Sequence, residues 1–250
     1  MRHQYRFLAQ PLASGLWKID VEEIHHLKKV LRLNPGDTLE FFDGHGKSGI
    51  GTLRDLDGSI TPDNIETTPP APQRLVLAMG VLRPSHADEV IPQLVETGAD
   101  EVIFFMQEGT SKQFISSKVQ KRWERIALSS ARQCKRPFLM KMNIFNTLED
   151  VIGYVEDFCA KIQLAPGATT SLTEETHSSV RRDTCIVLGS EKGLLPTEEQ
   201  SLERHGFKKC HLGQGILRAT TAAILATGIA AISLIEVQAG GEGNEKQKKS

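Results

Sequence analysis

The chain changes its grammar once, at Thr67-Thr-Pro-Pro-Ala-Pro72, and that break limits what it can fold into. Three prolines within four positions favour an extended, stiff spacer. Before it, short apolar runs alternate with Gly and Asp: Thr38-Leu-Glu-Phe-Phe42, Asp43-Gly-His-Gly46, Ser48-Gly-Ile-Gly-Thr-Leu53, then Asp55-Leu-Asp-Gly58. Asp-Gly supplies the positive φ of hairpin turns, so this segment reads as strand, tight turn, strand. Glu22 to Leu33 carries apolar residues at Ile24, Leu27, Val30, Leu31 and Leu33, the spacing of a short amphipathic helix, and Asn34-Pro35-Gly36 ends it.

After the spacer, strands and helices alternate. Arg74–Gly80, Glu101–Met106, Lys161–Ala165, Thr184–Leu188 and Phe207–Leu212 read as strands. Ser85–Thr97, Ser116–Cys134, Thr147–Phe158, Thr197–His205 and Arg218–Val237 read as helices, with Ser85 and a Thr197/Gln200 capping box as start signals. Pro92 is expected to kink the first of them. This order predicts an α/β fold with a mostly parallel sheet covered on both faces. The expected division is 1–68, a small β-rich domain; 69–73, the linker; 74–238, the α/β domain; and a disordered tail over 239–250, which is low in hydrophobic residues.

Ala219–Ile235 is apolar and uncharged, but short for a membrane span and rich in Ala, Thr and Gly. A buried core or interface helix is the expectation over a membrane helix. The N-terminus lacks the apolar run of a signal peptide. Cys134, Cys159, Cys185 and Cys210 stand apart, with no CxxC pair, so reduced thiols in a reducing compartment are expected, with no metal site.

The net charge is −1, which excludes binding by bulk charge. Yet between Lys112 and Arg136 there are eight basic residues and one acid, Glu124. Either this is a phosphate-contacting face or a solvated helix face. A weaker basic cluster spans residues 1 to 33. Two glycine loops follow strands: Leu188-Gly-Ser-Glu-Lys-Gly193 and Leu212-Gly-Gln-Gly-Ile-Leu-Arg218. Neither is GxGxxG or a P-loop, which disfavours a Rossmann oxidoreductase. They are either simple tight turns or two walls of one crevice at the carboxyl ends of neighbouring strands, suited to an adenine-bearing cofactor.

Taken in order, His25–Leu33 with Gly36-Asp37, Gln133-Cys-Lys-Arg136, Gly189–Gly193 and Leu212–Ala222 resemble the signatures of the bacterial 16S rRNA (uracil-N3)-methyltransferases of the SPOUT superfamily. The resemblance covers nearly the whole chain. It implies a PUA-like β-barrel that helps hold RNA, and an α/β methyltransferase domain with a deep trefoil knot. It implies a cytoplasmic homodimer acting on 16S rRNA of the small subunit with S-adenosylmethionine as cofactor. On that resemblance, cofactor contacts are expected at Leu164, Leu188, Gly189, Gly193, Leu212, Gly213, Ile216, Leu217 and Ala222. RNA contacts are expected at Arg2, Arg6, Lys28, Arg32, Lys121, Arg125, Arg132 and Arg136. Arg218 is the candidate for orienting the uracil or stabilising its anion; bonding loop carbonyls is the structural alternative.

The chain departs from the family pattern at Thr220, where the family has glutamate, at Ser190 and Lys192 in the glycine loop, at Gln93, and near Gly109, where an arginine is replaced. If the glutamate acts directly, slower or altered chemistry is expected. The competing readings are a non-catalytic RNA-binding homologue on the same scaffold and a SPOUT methyltransferase acting on another RNA.

Overall fold

The computed structural model describes residues 5–178 and 183–247, with side chains for 5–177 and 183–234. The chain divides into two compact units, Met1–Pro70 with Ala131–Leu139, and Ala71–Ser130 with Met140–Ser250.

The first unit is a closed barrel of β1 (Arg6–Pro11), β2 (Trp17–Ile19), β3 (Thr38–Phe42), β4 (Lys47–Leu53) and β5 (Ser59–Thr67), in the order β1-β2-β5-β4-β3. Parallel pairing of β1 with β3 closes it and removes free strand edges. Alternate residues point inward, and Phe7, Trp17, Leu39, Phe41, Leu53 and Ile60 form the core. The rings of Trp17 and Phe41 lie 4.6 Å apart. Helix α1 (Val21–His25) is capped by Asp20, whose carboxylate accepts from the Glu22 amide, and runs on as a π-helical stretch, His26–Leu31. Arg32, left-handed at φ 54°, ends it. Apolar spacing over so short a span does not separate the two windings, so the sequence reads them as one helix.

The second unit is a seven-stranded, wholly parallel sheet. Its strands are β6 (Leu75–Gly80), β7 (Glu101–Phe105), β8 (Lys141–Phe145), β9 (Ala160–Leu164), β10 (Thr170–Ser171), β11 (Thr184–Leu188) and β12 (Lys208–His211), in the order β10-β12-β9-β11-β6-β7-β8. Strands β6, β7 and β11 are buried along their whole length, as expected when helices cover both faces. The helices are α2 (Pro84–Thr97), α3 (Ser117–Gln133), α4 (Leu148–Tyr154), α5 (Leu172–Ser178), α6 (Pro196–Arg204) and α7 (Ala219–Gln247). Val151 of α4 and Leu202 of α6 join Ile103, Phe105 and Val187 in one apolar cluster. Trp123 of α3 lies 4.8 Å from the Phe104 ring, which alternation directs away from that cluster.

Helix α7 packs on α2, α5 and β6. Its buried residues, Ala223, Ala226, Thr227, Ala230 and Ser233, are small and recur at helical spacing, which lets α2 and α5 approach closely. Among the described residues no helix is long and apolar enough to cross a membrane. The backbone of α7 continues past Ala239, where the sequence reading expects disorder. Once a helix is nucleated, each further residue adds one hydrogen bond.

Two helix starts differ from their sequence signals. Helix α2 begins at Pro84 after Arg83, not at Ser85, because proline is preorganised for the first helical position. Likewise α6 begins at Pro196, and the Glu198 carboxylate accepts from the Leu195 amide at 2.8 Å, which replaces the expected Thr197/Gln200 box.

Candidate functional site

A cavity of about 640 Å³ opens over the carboxyl ends of β9, β11 and β12. The sequence reading puts two glycine loops on neighbouring strands; the sheet instead sets β9 between β11 and β12 and adds a third wall, Leu164–Pro166. Leu164, Leu188, Gly189, Gly193, Leu212, Gly213, Ile216, Leu217 and Ala222 all line this cavity, as does Arg218.

The loop after β11 is held closed by packing that tolerates no side chain. A Cβ on Gly189 would stand 2.1 Å from the Gly193 carbonyl carbon and 2.4 Å from the Leu194 nitrogen, both backbone. Gly193 adopts φ +79°, the left-handed turn that brings the chain back. Its amide donates to the Ser190 carbonyl at 2.9 Å. Gln107, just past β7, clamps both ends of the turn. Its Oε1 accepts from the Ser190 amide at 2.9 Å, and its Nε2 donates to the Gly193 carbonyl at 3.1 Å and to Glu198 Oε2 at 2.7 Å.

Glu191 leans the other way. Its Oε1 lies 2.7 Å from His86 Nδ1 and accepts from the Arg83 amide at 3.1 Å. Burial pushes the Glu191 carboxyl up, but these hydrogen bonds and one from its own amide outweigh that and leave it below the ordinary carboxylate value. Glu191 therefore stays ionised and structural. The second glycine loop ends at Arg218, whose carbonyl accepts from the Ala222 amide at 2.8 Å in the first turn of α7. The Arg218 guanidinium is exposed at the cavity lip, with no side-chain partner among the described residues. Thr220 lines the same wall. Cys210 also lies there, and burial pushes its thiol up to about 11, so it remains protonated and is no nucleophile at neutral pH.

The cavity suits an adenine-bearing cofactor. It falls within the range of about 300–1,000 Å³ usual for such sites. Leucines supply apolar walls, and the tight 189–193 turn, which leaves no room for a Cβ at Gly189, lines one side. Among the described residues no group of three or more His, Cys, Asp or Glu is placed to hold a metal.

The basic positions separate into two kinds. Lys28, Arg32, Lys121 and Arg125 are exposed. Arg6 and Arg132 are engaged within the first unit. The Arg6 guanidinium sits 4.2 Å over the Phe42 ring and donates to the Ala131 carbonyl, and burial lowers its pKa. Arg132 pairs with buried Glu23, an ion pair without an aligned hydrogen bond. Arg136 is half-buried, and Arg2 lies outside the described residues. The sequence reading misses His86 and Gln107 altogether; no motif marks them, because their role arises from strands brought side by side.

A family model described as an RNA methyltransferase domain matches residues 69–231, and one described as an RNA methyltransferase PUA domain matches residues 19–60. The chain is 30% identical over 217 residues to a ribosomal RNA small subunit methyltransferase E of Buchnera aphidicola, covering 82% of this chain and 83% of that one. It is 28% identical over 220 residues to ribosomal RNA small subunit methyltransferase E 1 of Borreliella burgdorferi, covering 85% and 90%. Among solved structures, ribosomal RNA small subunit methyltransferase E of Neisseria gonorrhoeae, bound to S-adenosyl methionine, matches with a TM-score of 0.79 at 22% identity, over 93% of this chain and 98% of that one. That last match establishes likeness of fold.

Proposed function

Because the chain belongs to the RNA methyltransferase family, we propose that it is an S-adenosylmethionine-dependent enzyme that methylates N3 of a uridine in 16S ribosomal RNA of the small subunit. One observation carries this reading: three loops after β9, β11 and β12 converge on one cavity walled by leucines and a glycine turn. The names of the relatives and the methyl donor held by the Neisseria protein support it.

When bound, the donor supplies an electrophilic methyl group on a sulfonium. The chain's own residues bind, orient and manage charge. Leu164, Leu188, Leu212, Leu217 and Ala222 form the apolar walls, and Gly189, Gly193, Gly213 and Ile216 contribute main-chain edges. Uracil N3 is a poor nucleophile until its proton leaves, so the site needs a donor for the developing anion. Arg218, exposed at the lip and without a side-chain partner among the described residues, takes that orienting role. Thr220 offers a hydroxyl and no carboxylate base.

The barrel acts as the PUA-like RNA holder. Lys28 and Arg32 of the first unit and Lys121 and Arg125 of the second meet phosphates directly; Arg136 is half-buried, and Arg6 and Arg132 are engaged within the first unit. The enzyme works as a cytoplasmic homodimer. Exposed Leu225 and Ile232 on α7, with Ile216, which is 85% exposed, give the apolar surface for it. The late strand β11 slots between β6 and β9, an insertion that supports the trefoil knot. Calorimetric titration with S-adenosylmethionine and nucleoside analysis of 16S rRNA from a strain lacking the protein test the proposal. Saturable binding and loss of N3-methyluridine are expected; no binding, or unchanged nucleosides, would refute it.

A further inference from the structure

The turn after β11 has a cavity on each of its sides, and Ser190, Glu191, Lys192 and Gly193 line both. The smaller cavity, about 240 Å³, lies over the carboxyl ends of β6 and β7. A Cβ on Gly80 would meet Gln107 Oε1 at 2.1 Å and the Ser190 amide nitrogen at 2.5 Å, so glycine there lets Gln107 hold the turn against the sheet. The start of α2 divides between the two cavities. Arg83 lines the smaller, whereas His86 and Glu89 line the larger, on the side of the proposed donor site. Half-buried His86 thus shares one compartment with the leucine walls and Arg218.

Uracil N3 must lose its proton in the reaction, and the titratable and hydroxyl groups of the larger cavity differ in whether they can take it. Arg218 and Lys192 are cations, and Thr220 is a hydroxyl. Burial keeps the Cys210 thiol protonated. Glu199 pairs with Lys209 at 3.0 Å. His211 Nδ1 accepts from the Gly213 amide at 3.1 Å, so Nε2 of that ring carries the proton and only donates. Glu89 is exposed, and a carboxylate in water is a weaker base than an imidazole. That leaves His86. Its Nδ1 lies 2.7 Å from Glu191 Oε1, and an ionised carboxylate only accepts, so Nδ1 carries the ring proton. In the neutral ring Nε2 then presents a lone pair, with no hydrogen-bond partner among the described residues. The Arg83 amide, donating to the same Glu191 oxygen at 3.1 Å, holds that carboxylate in place behind the imidazole.

Resting on the methyltransferase reading above, we propose that His86 is the catalytic base of the transfer. Its Nε2 takes the N3 proton of a uracil seated in the larger cavity beside the methyl donor, and Glu191 is the residue that positions the ring. The N3–H bond breaks with its electron pair left on N3. That pair forms the bond to the methyl carbon as the bond from that carbon to the sulfonium sulfur breaks, its electrons going to sulfur. The imidazolium afterwards gives its proton to water. A carboxylate behind an imidazole is the arrangement that fixes the tautomer and orientation of a histidine base. Arg218 keeps its separate role toward the charge on the uracil ring.

The test uses the full-length protein with small ribosomal subunits and S-adenosylmethionine, parent beside His86→Asn and Glu89→Gln. Asparagine keeps an N–H that can donate to Glu191 in place of Nδ1 but has no basic nitrogen. His86→Asn is expected to lower kcat about 100-fold or more, the scale of general-base catalysis, with the calorimetric Kd for the donor near the parental value. The parent's pH–rate profile is expected to rise across about pH 5–8, the window in which histidine side chains exchange their proton. In His86→Asn the rise is expected to move to higher pH, because N3 must then ionise unaided. Glu89→Gln is expected to keep the parental rate and profile. Three results overturn the proposal: a His86→Asn enzyme with the parental rate and profile, one that loses donor binding together with turnover, as a structural role would cause, or an equal loss in Glu89→Gln. In each of these, N3-methyluridine made by the parent leaves the functional reading standing; a parent that makes none overturns both.

Discussion

Replacing Gly189 by alanine is the sharpest probe of the donor cavity. The new Cβ would lie 2.1 Å from the Gly193 carbonyl carbon, 2.3 Å from its oxygen and 2.4 Å from the Leu194 nitrogen. None of these is a flexible side chain. To reach an ordinary contact of 3.4 Å, the turn must open by about 1.3 Å at Gly193. That displacement takes the Gly193 carbonyl out of reach of Gln107 Nε2, now 3.1 Å away, and stretches the 2.9 Å bond from its amide to Ser190. Two lost hydrogen bonds cost about 2 kcal/mol at about 1 kcal/mol each. The same movement displaces the main-chain groups facing the cavity, so donor affinity falls by a comparable amount, about 30-fold at ~1.4 kcal/mol per tenfold.

Gly193→Ala is the control. Nothing lies within 4 Å of its Cβ position, so only the left-handed backbone, φ +79°, opposes it. That strain costs about 1 kcal/mol, near fivefold if it reached binding in full. Isothermal titration calorimetry with S-adenosylmethionine on parent and both variants gives the comparison, with thermal unfolding in parallel. Gly189→Ala binding within twofold of the parent would show that the turn does not close on itself as described, and the account of the cavity wall would fail.

Glu23 gives a pH prediction. Burial raises its carboxyl to about 7 against the lowering pull of Arg132, well above its unfolded value. The native state thus holds the proton more tightly, so this contribution is full in acid below the unfolded pKa and is lost as pH rises through about 7. Thermal unfolding midpoints should decline across that window in the parent and flatten in Glu23→Gln; parallel curves would refute the assignment. Lys121→Ala combined with Arg125→Ala should weaken RNA binding uniformly and reduce the slope of log affinity against log salt by about 2, read by filter binding. An unchanged slope would make α3 a solvated surface only. Thr220→Glu, at the cavity wall, should raise turnover on small ribosomal subunits if the family's glutamate acts directly; a variant no faster than Thr220 would remove that role.

Much of the architecture was legible because local signals agreed with the final packing. Thr38–Phe42 and Thr184–Leu188 appear as strands with the expected bounds, one by alternation after a turn and the other as a buried apolar run. What escaped reading had weak local signal. Strand β8 is only partly buried except at its exposed first residue, and carries Lys141 and Asn143, so its pattern is not that of a central strand. The short helix α5 opens with Leu172 and three polar residues and acquires its place by packing against α7. Strands β1 and β2 are held by barrel closure, a long-range pairing that no window of sequence contains. The glycine loops were visible as punctuation, but their partners were not. Gln107 and Ser190 are separated by 83 positions and meet only because β7, β6 and β11 stand side by side.

That order also accounts for the cavity on each side of the 189–193 turn. Strand β11 is laid down after β9 yet lies between β6 and β9. Its loop therefore emerges in the middle of the carboxyl edge, with the β6 and β7 loops on one side and the β9 and β12 loops on the other. Had β11 been added at an edge, as β8 is, its turn would border one crevice only. A single turn as common wall fixes the separation of the two compartments without a hinge or a second domain. It also makes their geometry interdependent: a change that opens the 189–193 turn enlarges one compartment at the expense of the other. Small residues at Gly80 and Gly189 and the Gln107 clamp are then one device, holding the turn against the sheet between the two cavities.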